Sequence, residues 1–164
     1  MDIFSKICLN LSNGVLHVAR LALAALGITV IVGVVMRYAF NDEPPYIEQV
    51  ALLLVISVAM FGAAAGVRDS GHIGLDSLVK VLPGTIQKAI HVLVEIIILI
   101  FAALLIWGSA EMSSSTLHDT IPTLGISEAF RYLPVILAGI LVILFSIEHL
   151  LQFALGKRNA AEKK

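Results

Sequence analysis

Three charged residues stand inside stretches that are otherwise apolar, and they are the first candidates for chemistry in this chain. Arg20 falls about 10 Å from the inner end of the first apolar block, at 1.5 Å per helical residue. Glu95 and Glu148 fall at similar depth in the third and fourth blocks. An isolated charge inside a bilayer costs roughly 2.5–3.5 kcal/mol on insertion scales. One cation and two carboxylates at one level therefore predict a buried polar layer of Arg20, Glu95 and Glu148. Such a layer could relay protons or ions, or it could clasp helices together, within the chain or with another subunit. No span carries more than one carboxylate, and no Gly-Pro break unwinds a span to make an ion site. Both observations favour the clasp.

His17, His91 and His149 fall toward the same side. Two facing histidines could ligate a haem, which makes a haem-bearing membrane anchor of a redox complex one rival reading. No Cys-x-x-Cys-His accompanies them. Ser113–Thr116 with His118 and Asp119 has the composition of a hydrolytic set, but no strand-turn-helix elbow surrounds a serine. Neither a phosphate loop nor metal-ligand spacing is present. No enzymatic activity, cofactor or metal is expected. Cys8 is the single cysteine, so no intramolecular disulfide can form.

A second group of candidates lies at the ends of apolar blocks. Arg37 and Glu48 close opposite ends of a short turn, where antiparallel neighbours would bring them to similar depth. They could pin the hairpin as a charge pair or position a partner at the outer surface. Ala59, Gly62, Ala63 and Gly66 repeat at i, i+3, i+4 and i+7, a stripe of small residues that lets membrane helices approach closely. Arg68 ends that block, and a polar patch with His72 and Asp76 follows.

The elements that must hold these residues follow from composition. The chain is 59% hydrophobic and 14% charged, against roughly 45–50% and about 25% for a soluble domain. The excess forms four blocks, each near the roughly 20 helical residues that cross a hydrocarbon core of about 30 Å. The spacing predicts an all-α membrane protein with spans at about 15–38, 47–67, 86–108 and 132–155, in one integral membrane domain covering 1–164. Residues 1–13 place Ile3, Phe4, Ile7, Cys8 and Leu11 at helical spacing and predict a short interfacial helix in contact with membrane lipids. A similar amphipathic stretch is expected over 68–85, turned by Pro83-Gly84. Ser127 is the expected cap of the last helix, Pro134 falls in its opening turns, and 157–164 reads as a basic tail. No signal peptide is expected, because Met1-Asp2-Ile3 lacks a basic leader.

Four spans put both termini on one side. That side would hold nine of the eleven lysines and arginines, so both termini are expected in the cytoplasm. The net charge of −1 and the scattered basic residues give no nucleic-acid partner.

Several short patterns in this order resemble a known family. They are Arg37-Tyr38-x-Phe40-Asn41, Tyr46-Ile47-Glu48, Gly62-Ala63-Ala64, Arg68-x-x-x-His72-Ile73-x-x-Asp76 and Thr123-Leu124-Gly125-Ile126-Ser127. Together they resemble the small permease subunit of tripartite ATP-independent periplasmic (TRAP) transporters, the DctQ-type family. That family usually has Trp where this chain has Tyr46, and often an acid where it has Gln49. The resemblance implies a multi-pass protein of the bacterial inner membrane with no catalytic role of its own. It implies a large permease partner that carries the substrate and sodium sites, and a periplasmic binding protein that delivers an organic acid. C4-dicarboxylates and sialic acids are the substrate classes it implies. On this reading the chain is a fixed scaffold. Arg37, Tyr46 and Glu48 become candidates for docking the binding protein. Gly62, Gly66 and Glu95 become candidates for contact with the large permease or for internal packing, while Arg68, His72, Asp76 and Gly125 belong to the shared patterns. A further rival is a self-sufficient four-helix small exporter. Such proteins place an essential carboxylate in an early span, and the first span here has none.

Overall fold

Backbone groups in hydrocarbon must be satisfied within their own segment, which makes each apolar block a helix. The computed structural model describes residues 2–42, 44–70 and 84–154. Helix α1 is Asp2–Ala39, α2 is Pro45–Ser70, α3 is Gly84–Ser115 and α4 is Leu133–Ala154, with a short 3₁₀ helix at Glu128–Arg131 ahead of α4. Four helical segments are long and apolar enough to cross a membrane. The all-α, four-span architecture expected from the sequence is the one observed.

Two boundaries differ from expectation. Residues 1–13 do not form a separate interfacial helix, because α1 runs unbroken for 38 residues from Asp2. No proline interrupts it, and Cys8, Ser12 and Ala19 are buried along one face, so both halves of the helix pack as a unit. At the other end of the chain, α3 continues past Gly108 to Ser115. The hydroxyls of Ser114, Ser115 and Thr116 donate to the carbonyls of Glu111 and Met112 at 2.8–2.9 Å. They thereby satisfy acceptors that a helix terminus would otherwise leave open. His72, Asp76, most of the expected 68–85 surface stretch and the 157–164 tail lie outside the described residues.

The α1–α2 and α3–α4 connections are built by local chemistry. Asn41 ends α1 with φ 53°, a left-handed conformation that asparagine tolerates better than most residues. The Asp42 N–H then donates back to the Met36 carbonyl at 3.3 Å. Pro45 opens α2, where its missing N–H costs nothing. Between α3 and α4, the Ile121 N–H meets the Ile126 carbonyl at 2.9 Å and the Glu128 N–H meets the Asp119 carbonyl at 2.8 Å. This closed loop turns at Gly125, whose φ of 66° requires glycine's freedom. The Ser127 hydroxyl accepts from the Ala129 N–H at 3.2 Å. It caps the 3₁₀ turn that leads into α4 rather than α4 itself.

Packing places α4, last in sequence, between α2 and α3, while α1 leans on α2 and only slightly on α4. The most apolar stretch of α4 is accordingly 33% buried inside the chain, against 11% for each of the other spans. Phe145 fills the centre, with Ala64 and Ala65 from α2 and Ala102 and Ala138 at the α3–α4 contact, all almost inaccessible. At Gly139 a Cβ would lie 2.6 Å from Ile106 Cγ1 and 3.5 Å from the Ala102 carbonyl. Glycine at this position lets α3 and α4 approach so closely.

Candidate functional site

Glu148 and His149 are consecutive on α4, so the helical twist of about 100° per residue turns them toward different neighbours. Glu148 faces α1 and α2. Its Oε1 accepts from the Ser5 hydroxyl at 2.8 Å and from Gln152 Nε2, one turn on, at 2.9 Å. Its Oε2 lies 3.3 Å from Arg68 Nε, in a pair whose carboxylate is 2% exposed. The Arg68 guanidinium also sits over the Phe145 ring, 6.0 Å from its centroid, the edge of cation–π range. His149 faces α3, where its Nδ1 is 2.9 Å from Glu95 Oε1, both groups being buried. One turn of α4 thus carries polar ties to all three other helices.

This cluster contains two of the three residues expected in a polar layer. Glu95 and Glu148 are buried, but their described contacts go to different groups, Glu148 to Arg68 and Glu95 to His149. Arg20 is absent from the cluster. Cys8, Ser12 and Ala19 define the buried face of α1, and Arg20, one residue past Ala19, is turned about 100° away from it and exposed. Arg68 supplies the cation instead. Ser5 and Gln152 were not legible as members, because short polar residues near span ends are common and only tertiary contact singles them out. Of the three histidines, His17 is exposed on α1, and His149 is held by Glu95 on α3, the helix that also carries His91.

At the opposite end of the helices, Arg37, Tyr38 and Glu48 line an open cleft of about 400 Å³ between α1 and α2. Arg37 and Glu48 are both exposed at this cleft, and the expected pair between them is not among the described contacts. The described polar link at this end is different. Arg131 Nη2 donates to Gln49 Oε1 at 3.1 Å, and Nη1 lies 3.1 Å from Glu128 Oε1. Gln49 therefore serves as a neutral acceptor joining α2 to the 3₁₀ turn. Tyr46 is exposed beside it. Tyr38, Phe40 and Phe130 are exposed at the same end, and Trp107 in the half of α3 nearer to it; tyrosine and tryptophan are the amphipathic residues that favour a membrane interface.

The small-residue stripe on α2 faces outward. Ala59 and Ala63 are exposed, Gly62 and Gly66 half-buried, and a Cβ at Gly62 would meet no atom within 4 Å. The small residues that α2 buries inside the chain are their neighbours Ala64 and Ala65, each 0% exposed. Chemically the arrangement amounts to a set of helix ties at one end, an exposed mixed-charge cleft at the other, and apolar faces between.

Comparison with known proteins places this geometry among membrane transport components. Residues 26–156 match a family model described as tripartite ATP-independent periplasmic transporters, DctQ component. A TRAP transporter small permease protein of Haemophilus influenzae is 31% identical over 120 residues, 73% of this chain and 74% of its own length. The C4-dicarboxylate TRAP transporter small permease protein DctQ of Vibrio cholerae is 29% identical over 87 residues, covering 53% of this chain and 38% of that one. The sialic acid TRAP transporter permease protein SiaT of Haemophilus influenzae is 28% identical over 139 residues, 84% of this chain but 22% of its own length.

Proposed function

This chain belongs to the DctQ-component family of tripartite ATP-independent periplasmic transporters, and we propose that within such a transporter it is the non-catalytic scaffold of the large permease. It is a small-permease component and a multi-pass protein of the inner membrane. The large permease would carry the substrate and sodium sites and perform the transport cycle. This subunit would hold it at fixed depth and help dock the periplasmic binding protein at the outer end of α1 and α2. A sodium gradient would drive uptake of an organic acid, of the C4-dicarboxylate or sialic acid class that the relatives' names carry.

The observation that carries this reading is the use made of the buried charges. Glu148 is occupied by Ser5, Arg68 and Gln152, and Glu95 is bonded to His149. These groups are spent on joining helices, the role of interhelical hydrogen bonds in membranes, and they supply rigidity to a stationary body. The relative SiaT supports a permease partner, since the matched part is a small share of a longer permease chain. Arg37, Tyr46 and Glu48 are exposed at one end, which supports them as the docking surface if both termini are cytoplasmic.

Co-expression with the large permease and purification of this chain in mild detergent tests the reading. The large permease should come along at a fixed ratio. Purification of this chain alone, with its permease left behind, would count against a scaffold role.

A further inference from the structure

Exposed residues of α1 form a seam that nothing among the described residues covers. Lys6, Asn10, Asn13, His17 and Arg20 repeat at i, i+4, i+7, i+11 and i+14, and all five are exposed. The same spacing continues through Ala24 and Gly27, also exposed, and a Cβ at Gly27 would meet no atom within 4 Å. A repeat of 3.5 residues is the pattern of a helix that packs along a second helix. Polar groups followed by small ones are what membrane helices use to associate. Most of the seam precedes residue 26, where the family match begins.

Its depth makes the seam costly in lipid. Ser5 is bonded to Glu148, which stands six residues before the end of α4, and Glu148 in turn meets Arg68 near the end of α2. From Ser5 onward α1 therefore moves into the bilayer. Arg20 lies about 22 Å further along its axis at 1.5 Å per residue. It makes no hydrogen bond or ion pair among the described residues. An exposed cation and exposed amides at that depth need a polar partner.

Three occupants compete for the seam. Lipid headgroups can meet Lys6 near the surface, but not the far end of a seam about 32 Å long. A second copy of this chain offers no exposed carboxylate at that depth among the described residues, since Glu95 and Glu148 are buried and bonded. A membrane helix of another chain remains, with an acid opposite Arg20, hydrogen-bonding side chains opposite the asparagines, and close backbone approach at Ala24 and Gly27. Resting on the subunit reading above, we propose that this seam on α1 docks an acid-bearing transmembrane helix of the large permease.

A photoreactive amino acid placed at His17 in the co-expressed pair tests this, with Phe101, exposed on α3, as the control position. Cross-linked product should contain the large permease, at least tenfold more from His17 than from Phe101. In parallel, Arg20→Leu and Gly27→Leu should each lower the large permease recovered per small subunit at least tenfold, while Arg20→Lys keeps most of it. Should a leucine variant fail to elute as a single species, the cross-link decides, because it leaves Arg20 and Gly27 untouched. Cross-linking at His17 only to phospholipid or to a second copy overturns the seam, as do leucine variants that retain the permease at the wild-type level. If the wild-type chain recovers no large permease, the subunit reading falls and the seam falls with it.

Discussion

Three described side-chain hydrogen bonds converge on Glu148, and the energetics of the helix ties are decided largely there. Its carboxylate is almost inaccessible and sits beside the mostly buried Arg68. Removing one member of a buried pair typically costs about 3–5 kcal/mol, because it strands the other charge, whereas replacing both can be nearly neutral. Glu148→Leu should therefore lower stability in detergent by about that amount, and Glu148→Leu with Arg68→Leu should recover most of it. Denaturant titration of the two single variants and the double variant gives the coupling directly. His149→Leu strips Glu95 of its described hydrogen bond and should cost about 1–3 kcal/mol on the same assay. That Glu95 and Glu148 matter was legible in the sequence, since a carboxylate in an apolar run must be paired. Their partners were not. Depth along a helix can be counted from sequence, but the direction a side chain faces depends on where the neighbours lie. For Arg20 the counted depth failed as well as the direction, because α1 reaches the layer at Ser5, which meets Glu148, about 22 Å along the helix from Arg20.

At the scale of elements, hydropathy was enough to find all four helices, and their ends were set by local groups that hydropathy does not weigh. The span expected at 86–108 stops short of Ser113–Thr116, yet the hydroxyls of Ser114, Ser115 and Thr116 bond back onto the end of α3. The order in which helices neighbour one another was hidden as well, because α4 reaches the middle only through contacts with both α2 and α3. Gly139 gave no sign in sequence, being one glycine in an apolar run. In the structure a Cβ there would collide with Ile106. Gly139→Ala should force α3 from α4 at about 1–3 kcal/mol, the usual range for overpacking, and Ile106→Ala in the same chain should restore part of the loss. Gly125→Ala tests backbone strain instead. Nothing lies near that Cβ, so its cost should be about 1–2 kcal/mol from the left-handed backbone alone, and trimming neighbouring side chains should not relieve it.

For the whole molecule, the long exposed apolar faces of α1 and α3 belong against lipid or a companion protein, and the polar groups organise the two ends. The placement of charge predicts cytoplasmic termini. A reporter fused after Lys164 should fluoresce as a cytoplasmic protein, and an exported phosphatase fused there should stay inactive; the opposite result would invert the proposed docking end. The central claim is that this chain supports transport without passing solute itself. Solute flux into sealed vesicles measures that directly, with this chain, the large permease, the binding protein and a sodium gradient combined in turn. The account predicts no uptake by this chain alone, uptake by the full set, and at least a tenfold loss when this chain is left out. Uptake by this chain alone, or undiminished uptake without it, would contradict the account.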